Sequence, residues 1–84
     1  MPLPNQPVTL TAAQIAELDR KLSTMRHDIN NHLSLVVAAV ELIRHKPATT
    51  ERMMETLVGQ PARIAAALAK FTGEFDQTLG ITRH

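Results

Sequence analysis

The sequence lacks cysteine, tryptophan and tyrosine, and it contains only two phenylalanines and three glycines. Without cysteine the chain can form neither a disulfide nor a thiolate metal site. Two aromatic side chains are too few for a platform that stacks the bases of single-stranded nucleic acid. The glycines are isolated from one another, which excludes a glycine-rich phosphate-binding loop.

The sequence also lacks a strong charge of either sign and a long apolar run. Its formal net charge is +1, so no basic patch points to nucleic acid or to an anionic membrane surface. The longest apolar run, residues 35–40, is far below the roughly 20 residues that span a bilayer. The first residues lack the basic segment and apolar core of a secretory signal. We therefore expect a cytoplasmic protein whose partners are neither membranes nor nucleic acids.

A chain of 84 residues forms one small domain that buries little surface by itself. Small domains usually gain stability from disulfides, metals or self-association. Because the first is excluded and no metal-ligand cluster is evident, self-association is the expected source of additional stability.

The first helix has a clear start. Residues 1–10 contain three prolines and no apolar period, which predicts a disordered lead-in. Thr11 followed by Gln14 has the spacing of a capping box. Pro47 then disfavours helix at the residue before it. These signals predict helix 1 over about residues 12–45.

Apolar residues along this segment recur at alternating spacings of three and four, as in a coiled coil or helix bundle. The predicted seam comprises Ile15, Leu18, Leu22, Met25, Ile29, His32, Val36, Ala39 and Ile43. Because residues 33–43 are apolar on more than one face, a single partner helix cannot cover them.

The second half of the chain supplies a partner helix. Thr50 is a candidate N-cap, and Gly80 a candidate C-terminal stop. The same spacing continues through Met54, Leu57, Pro61, Ile64, Leu68, Phe71 and Phe75. Because the phase persists across Pro61, we predict one kinked helix over about residues 50–79, with Val36 near Pro61 and Ile29 near Leu68.

A short loop between two long helices predicts an all-α fold, an antiparallel two-helix hairpin that homodimerises into a four-helix bundle. The hairpin domain spans residues 11–80, and residues 81–84 form a C-terminal tail.

A polar cluster interrupts the seam pattern in the middle of helix 1. The heptad phase places His27 and Asn31 outside the packed face, while Asp28 borders it. A carboxylate that accepts a hydrogen bond from one imidazole nitrogen leaves the other nitrogen free as a nucleophile. His27 with Asp28 and Asn31 therefore has the residue types of a phosphoacceptor site. His27 and His32 are five residues apart and diverge on a helix, unlike the pairs that bind zinc.

The segment His27-Asp28-Ile29-Asn30-Asn31 resembles the His-Asp-x-x-Asn form of the H-box, found in the dimerisation and phosphoacceptor domain of bacterial sensor histidine kinases and in related sporulation-type phosphotransferases. Those domains are hairpins that dimerise into four-helix bundles, so the resemblance covers about residues 11–79. The chain departs from the commonest kinase pattern in lacking a proline shortly after the motif.

The resemblance implies a phosphorelay role in two-component signal transduction. His27 would be the phosphoacceptor that exchanges a phosphoryl group with an aspartate of a response-regulator receiver domain. Asp28 would be the orienting base, and Asn31 would position water or the nucleophile. The receiver would bring the magnesium, so this chain would bind no cofactor or metal itself. The residues expected to contact the partner are Arg26, Asn30, Ala62, Ala66 and Ala69.

A second interpretation belongs to a different class. The sequence contains no ATP-binding domain, so phosphorylation from ATP would need a separate kinase or ATP-binding domain. A domain excised from a kinase, or a relative that has lost the chemistry, would act only as a helical dimerisation scaffold. Taken alone, His27 is also compatible with an ordinary solvated histidine.

Overall fold

The computed structural model describes residues 3–81, and all regular structure within them is helical. Helix α1 spans Ala12–His45, a short 3-10 turn spans Pro47–Thr49, and helix α2 spans Thr50–Leu79. The two helices pack against each other as a hairpin, so the predicted all-α hairpin is confirmed. The predictions for residues 1–2 of the lead-in and 82–84 of the tail lie outside the described residues.

Helix α1 begins with the predicted capping box. The backbone N–H of Gln14 donates to Oγ1 of Thr11 at 3.1 Å, and the backbone N–H of Thr11 donates to Oε1 of Gln14 at 2.8 Å. This reciprocal pair satisfies two backbone donors that the first turn of a helix leaves without partners.

The connection between the helices differs from the sequence prediction in one detail. Thr50 is the first residue of α2, and its N-cap is Thr49. Both hydroxyl groups donate backwards into the 3-10 turn, from Thr49 to the carbonyl of Lys46 at 2.8 Å and from Thr50 to that of Pro47 at 2.6 Å. The predicted N-cap at Thr50 was wrong because its hydroxyl is engaged in the turn.

Helix α2 continues through Pro61 without interruption, as the persistent phase predicts. It ends at Gly80, whose φ of 70° and ψ of 29° lie in the left-handed region. The backbone N–H groups of Gly80 and Ile81 both donate to the carbonyl of Asp76. Glycine adopts this conformation without the steric cost that a Cβ would add.

The predicted seam of α1 faces α2. Its less exposed residues are Leu18, Leu22, Met25, Ile29, His32, Val36, Ala39 and Ile43. Only Ile15 departs from the prediction, with 55% of its surface exposed. Since His32 is opposite Gln60, Ile15 is opposite the last turn of α2 and has little helix to pack against.

The predicted seam of α2 was wrong at three of its seven positions, because Met54, Pro61 and Leu68 are exposed. The α2 residues that face α1 are instead Met53, Leu57, Gln60, Ile64, Ala67, Phe71 and Phe75. The helix is thus rotated from the predicted orientation. Pro61 and Leu68, which were predicted to lie near Val36 and Ile29, are exposed outside the seam.

Two flanks run along the hairpin on either side of the seam. One side carries the residues that directly precede a seam residue, and we call it the charged flank. Among these residues are Lys21, Asp28 and Lys70, which line the same cleft. Residues that directly follow a seam residue lie on the opposite side of both helices, since the helices are antiparallel and equally right-handed. We call this the apolar flank, and its exposed large members are Leu33, Val37, Val40, Met54, Val58 and Leu68.

The hairpin is elongated and has a thin core. Its dimensions are 58 × 27 × 12 Å and its radius of gyration is 18.1 Å, against about 12 Å for a compact chain of this length. Among residues 3–81, only Ala39 and Gln60 are buried. Neither described helix has an apolar stretch long enough to cross a membrane.

Candidate functional site

His27 lies near the middle of α1 on its outer face. It is two residues after Met25 and two before Ile29, both of which face α2, so its Cβ projects away from the partner helix. The residue is exposed, and no hydrogen bond restrains its imidazole within residues 3–81. Both ring nitrogens are therefore open to a reactant that approaches the outside of the hairpin.

Asp28 occupies a different surface from His27. It lies on the charged flank and lines a cleft of about 70 Å³ between the two helices. On α1 the cleft is also lined by Thr24 and Met25, and on α2 by Ala67 and Lys70. Asp28 therefore faces a cation-containing cleft, whereas His27 faces solvent.

The expected hydrogen bond between Asp28 and His27 is absent from the described part of the chain. Consecutive side chains on a helix point about 100° apart and do not face each other. An orienting role for Asp28 would therefore require His27 to turn towards the charged flank when a reactant is bound.

The remaining polar residues of the motif are exposed. Asn31 directly precedes His32 and so lies on the charged flank, one turn after His27. Arg26 and Asn30 directly follow the seam residues Met25 and Ile29, so they lie on the apolar flank. Asn30 lines a shallow depression there with Leu33 and Val37. The motif thus straddles the outer face of α1, with Asp28 and Asn31 on one side of His27.

The three alanines predicted to contact a partner are exposed on α2. Ala66 directly precedes the seam residue Ala67 and so lies on the charged flank, the same side as Asn31. Ala62 and Ala69 lie farther from the seam, on the outer face of α2. This surface carries no large side chain at these positions, and a partner helix can approach its backbone closely.

A salt bridge lies about two to three turns before His27 on α1. Nε of Arg20 donates to Glu17 at 3.0 Å, and a second guanidinium nitrogen contacts the other carboxylate oxygen. The hydrogen bond from Arg20 lowers the pKa of Glu17 and raises the pKa of Arg20. Arg20 also lines the cleft beside Asp28. Its side chain is held there by Glu17, which lies outside the cleft.

The most restrained histidine is His32, a seam residue that the sequence predicts to be partly buried and to set register or oligomeric state. Its Nδ1 lies 2.8 Å from Oε1 of Gln60, and Nε2 of Gln60 donates to the carbonyl of Thr56 at 3.2 Å. Because that bond fixes which end of the amide is oxygen, Nδ1 of His32 must carry the proton.

Gln60, Lys21 and Lys70 were not identified from the sequence. A signal for Gln60 was available, since a polar residue at a seam position usually requires a polar partner across the seam. The two lysines carry no comparable signal, because lysine is common on any solvated helix face.

Within residues 3–81, no three His, Asp or Glu side chains converge on a point where they could hold a metal ion. The other histidine with a defined contact is His45, whose Nε2 lies 3.1 Å from Oε2 of Glu41 at the end of α1. Glu41 also accepts a hydrogen bond from Arg44 at 3.2 Å. His84 lies outside the described residues.

Comparison of the chain with protein-family models, with curated proteins and with solved structures finds no match.

Proposed function

We propose that the chain is a phosphotransfer module of a bacterial two-component or phosphorelay system, in which His27 carries a phosphoryl group to or from an aspartate of a receiver domain. The observation that carries the proposal is the exposed, unrestrained imidazole of His27 at the middle of a helical hairpin. Asp28 and Asn31 lie within one turn of it, in the His-Asp-x-x-Asn pattern. The module would operate in the cytoplasm.

The proposed step is a displacement at phosphorus. The lone pair of one His27 nitrogen attacks the phosphorus of an aspartyl phosphate, the P–O bond to the aspartate breaks, and the aspartate leaves as a carboxylate. The other ring nitrogen loses its proton, for which Asp28 is the nearest carboxylate in sequence. Asn31 would orient water or the nucleophile, and the receiver would supply Mg²⁺. Such transfer depends mainly on positioning and charge neutralisation, which few residues can provide.

The proposed active form is a homodimer. The accessible surface of the chain is 6344 Å², whereas a compact monomer of 9.3 kDa exposes about 5000 Å². The excess of about 1300 Å² is within the range that each subunit of an obligate homodimer buries. Within residues 3–81 the buried residues are Ala39 and Gln60, which gives the single hairpin little hydrophobic stabilisation.

The apolar flank is the proposed dimer interface. Val58 and Val37 expose 76% and 62% of their surface, and they lie on the same side of the hairpin. A second copy placed there would convert two hairpins into a four-helix bundle. His27 faces away from the seam on the outer face of α1, so this dimer leaves the imidazole accessible to a receiver domain.

A second candidate function is a dimerisation scaffold without phosphotransfer. Two observations favour it: Asp28 forms no hydrogen bond with His27 in the described chain, and the exposed apolar flank is a more developed feature than the polar cluster. In this case the hairpin would serve only to bring two copies together.

Transfer of label from phosphorylated receiver domains separates the two candidates. Bacterial receiver domains are labelled with radioactive acetyl phosphate, mixed with the chain, and the products are tested for acid lability, which is typical of phosphohistidine. We expect label on the parent chain and on a His45→Gln control, and none on His27→Gln. Label that persists on His27→Gln excludes His27 as the acceptor. A dimer that takes no label from any donor supports the scaffold.

A further inference from the structure

Helix α2 carries two apolar stripes, either of which has the spacing needed to pack against α1. Both stripes include Leu57, Ile64, Phe71 and Phe75. The stripe that is packed adds Met53, Gln60 and Ala67, while the alternative stripe adds Met54, Pro61 and Leu68. Exchanging one stripe for the other requires a rotation of α2 by roughly 50° about its own axis.

Hydrophobic burial alone favours the alternative stripe. It would place Leu68 in the seam instead of the smaller Ala67, and Pro61 instead of the polar Gln60. In the observed structure Met54 and Leu68 remain 49% and 47% exposed, while Gln60 is only 4% exposed. Something other than apolar area therefore determines which stripe is packed.

The side chain of Gln60 forms a hydrogen bond between the two helices. Its Oε1 accepts from Nδ1 of His32 at 2.8 Å, and its Nε2 donates to the carbonyl of Thr56 at 3.2 Å. Both ends of the buried amide are thus satisfied. In the alternative orientation His32 would face Pro61, whose side chain has no acceptor, and Nδ1–H would lose its partner.

We propose that the His32–Gln60 hydrogen bond selects the rotation of α2, and thereby keeps Met54 and Leu68 on the apolar flank instead of in the seam. Leaving the partly buried donor of His32 without its acceptor is unfavourable, so the pair penalises the alternative orientation. A single polar residue at a packed position is known to fix register in helical assemblies at some cost in stability. This inference concerns one hairpin and does not depend on phosphotransfer.

Paired cysteines measure the rotation directly, because the chain has no cysteine of its own. One double variant combines Met25→Cys with Ala67→Cys, two positions that line the same cleft between the helices. The other combines Met25→Cys with Leu68→Cys. The rate of intramolecular disulfide formation under mild oxidation is followed by intact mass, which separates closure within a chain from links between chains.

With Gln60 in place, we expect the pair at 25 and 67 to close at least about tenfold faster than the pair at 25 and 68. In the Gln60→Leu background the preference should fall by tenfold or reverse. Gln77→Leu, a substitution at an exposed glutamine of the same helix, should leave the preference unchanged. Gln60→Glu keeps an acceptor for His32, so a chain with this substitution should prefer the pair at 25 and 67 as the parent does.

The proposal is overturned if Gln60→Leu leaves the ratio of the two rates as it is in the parent chain. Circular dichroism establishes that each variant is helical. If Gln60→Leu loses helicity, His32→Leu is used instead, because it removes the donor of the same hydrogen bond. It must reduce the preference for closing the pair at 25 and 67 to the same extent. An unchanged ratio in a helical His32→Leu chain also overturns the proposal.

Discussion

Thr11 and Gln14 each accept a hydrogen bond from the other's backbone N–H group, at 3.1 Å and 2.8 Å. Removing the hydroxyl in Thr11→Ala leaves the N–H of Gln14 without its acceptor. We expect the free energy of unfolding to fall by about 1 kcal/mol per chain. Urea denaturation followed by circular dichroism measures the loss.

Thr9→Ala is the matched control for that substitution, since Thr9 is exposed and lies before the helix. Its unfolding free energy should equal that of the parent chain. Equal stability of Thr11→Ala and the parent would mean that the start of α1 does not contribute to cooperative unfolding.

The bounds and the packed face of α1 could be predicted because local signals determine them. The capping box marks the start, Pro47 marks the end, and no glycine or proline interrupts the seam between them. The outward position of His27 follows from the same phase, because it is two residues from both Met25 and Ile29.

The orientation of α2 could not be predicted in the same way. Its two apolar stripes share four residues, and the more apolar of the two stripes is not the one packed in the seam. The choice depends on a contact between Gln60 and His32, which are 28 residues apart in sequence. Similarly, the proximity of Asp28 and His27 in sequence does not indicate contact, because consecutive helical side chains diverge.

The left-handed backbone at Gly80 yields a second stability prediction. Its φ is 70°, a conformation that costs a residue with a Cβ roughly 1–2 kcal/mol. Apart from the adjoining residues, no atom of the described chain lies within 4 Å of the position where that Cβ would be. We therefore expect Gly80→Ala to lower the unfolding free energy by about 1 kcal/mol through backbone strain alone.

Gly73→Ala provides the contrast, because Gly73 is inside α2 and also has open space around its Cβ position. Alanine is the better helix former, and we expect this variant to gain about 0.5–1 kcal/mol. Opposite signs for the two variants in the same denaturation assay would confirm the argument, whereas a stabilised Gly80→Ala would contradict it.

The proposed dimer interface is tested with a charge on the apolar flank. Val58→Glu places a carboxylate where the second copy would lie, and an unpaired buried charge is costly. We expect the dimer dissociation constant to rise by about 100-fold or more, where each tenfold change corresponds to about 1.4 kcal/mol. Sedimentation equilibrium of the parent chain should give twice 9.3 kDa.

Ala69→Glu introduces the same charge on the outer face of α2 and should leave the dimer intact. A parent chain that sediments as a fully helical monomer at micromolar concentration would contradict the four-helix bundle. Dissociation caused equally by both substitutions would contradict the assignment of the interface to the apolar flank.

The surface around Ala66 is predicted to contact the receiver domain. Ala66 is exposed on the charged flank, the side that also carries Asn31 and the cleft beside Asp28. Ala66→Arg adds a long side chain and a positive charge there, with little effect expected on folding because nothing packs on this position. Binding to a receiver that labels the parent chain should weaken by about tenfold or more, since close approach of a partner helix requires a small residue.

The control for this substitution is the oligomeric state. If Ala66→Arg remains a dimer, is fully helical and binds the receiver as tightly as the parent chain, the charged flank is not the docking surface. The matched control is Ala16→Arg, at an exposed position in the second turn of α1, which should bind the receiver as the parent chain does. If Ala66→Arg binds more weakly as an intact dimer and Ala16→Arg does not, the receiver contacts the side of the hairpin that bears Asp28 and Asn31. Asp28 and Asn31, unlike Arg26 and Asn30, would then lie on the side from which a receiver aspartate reaches His27.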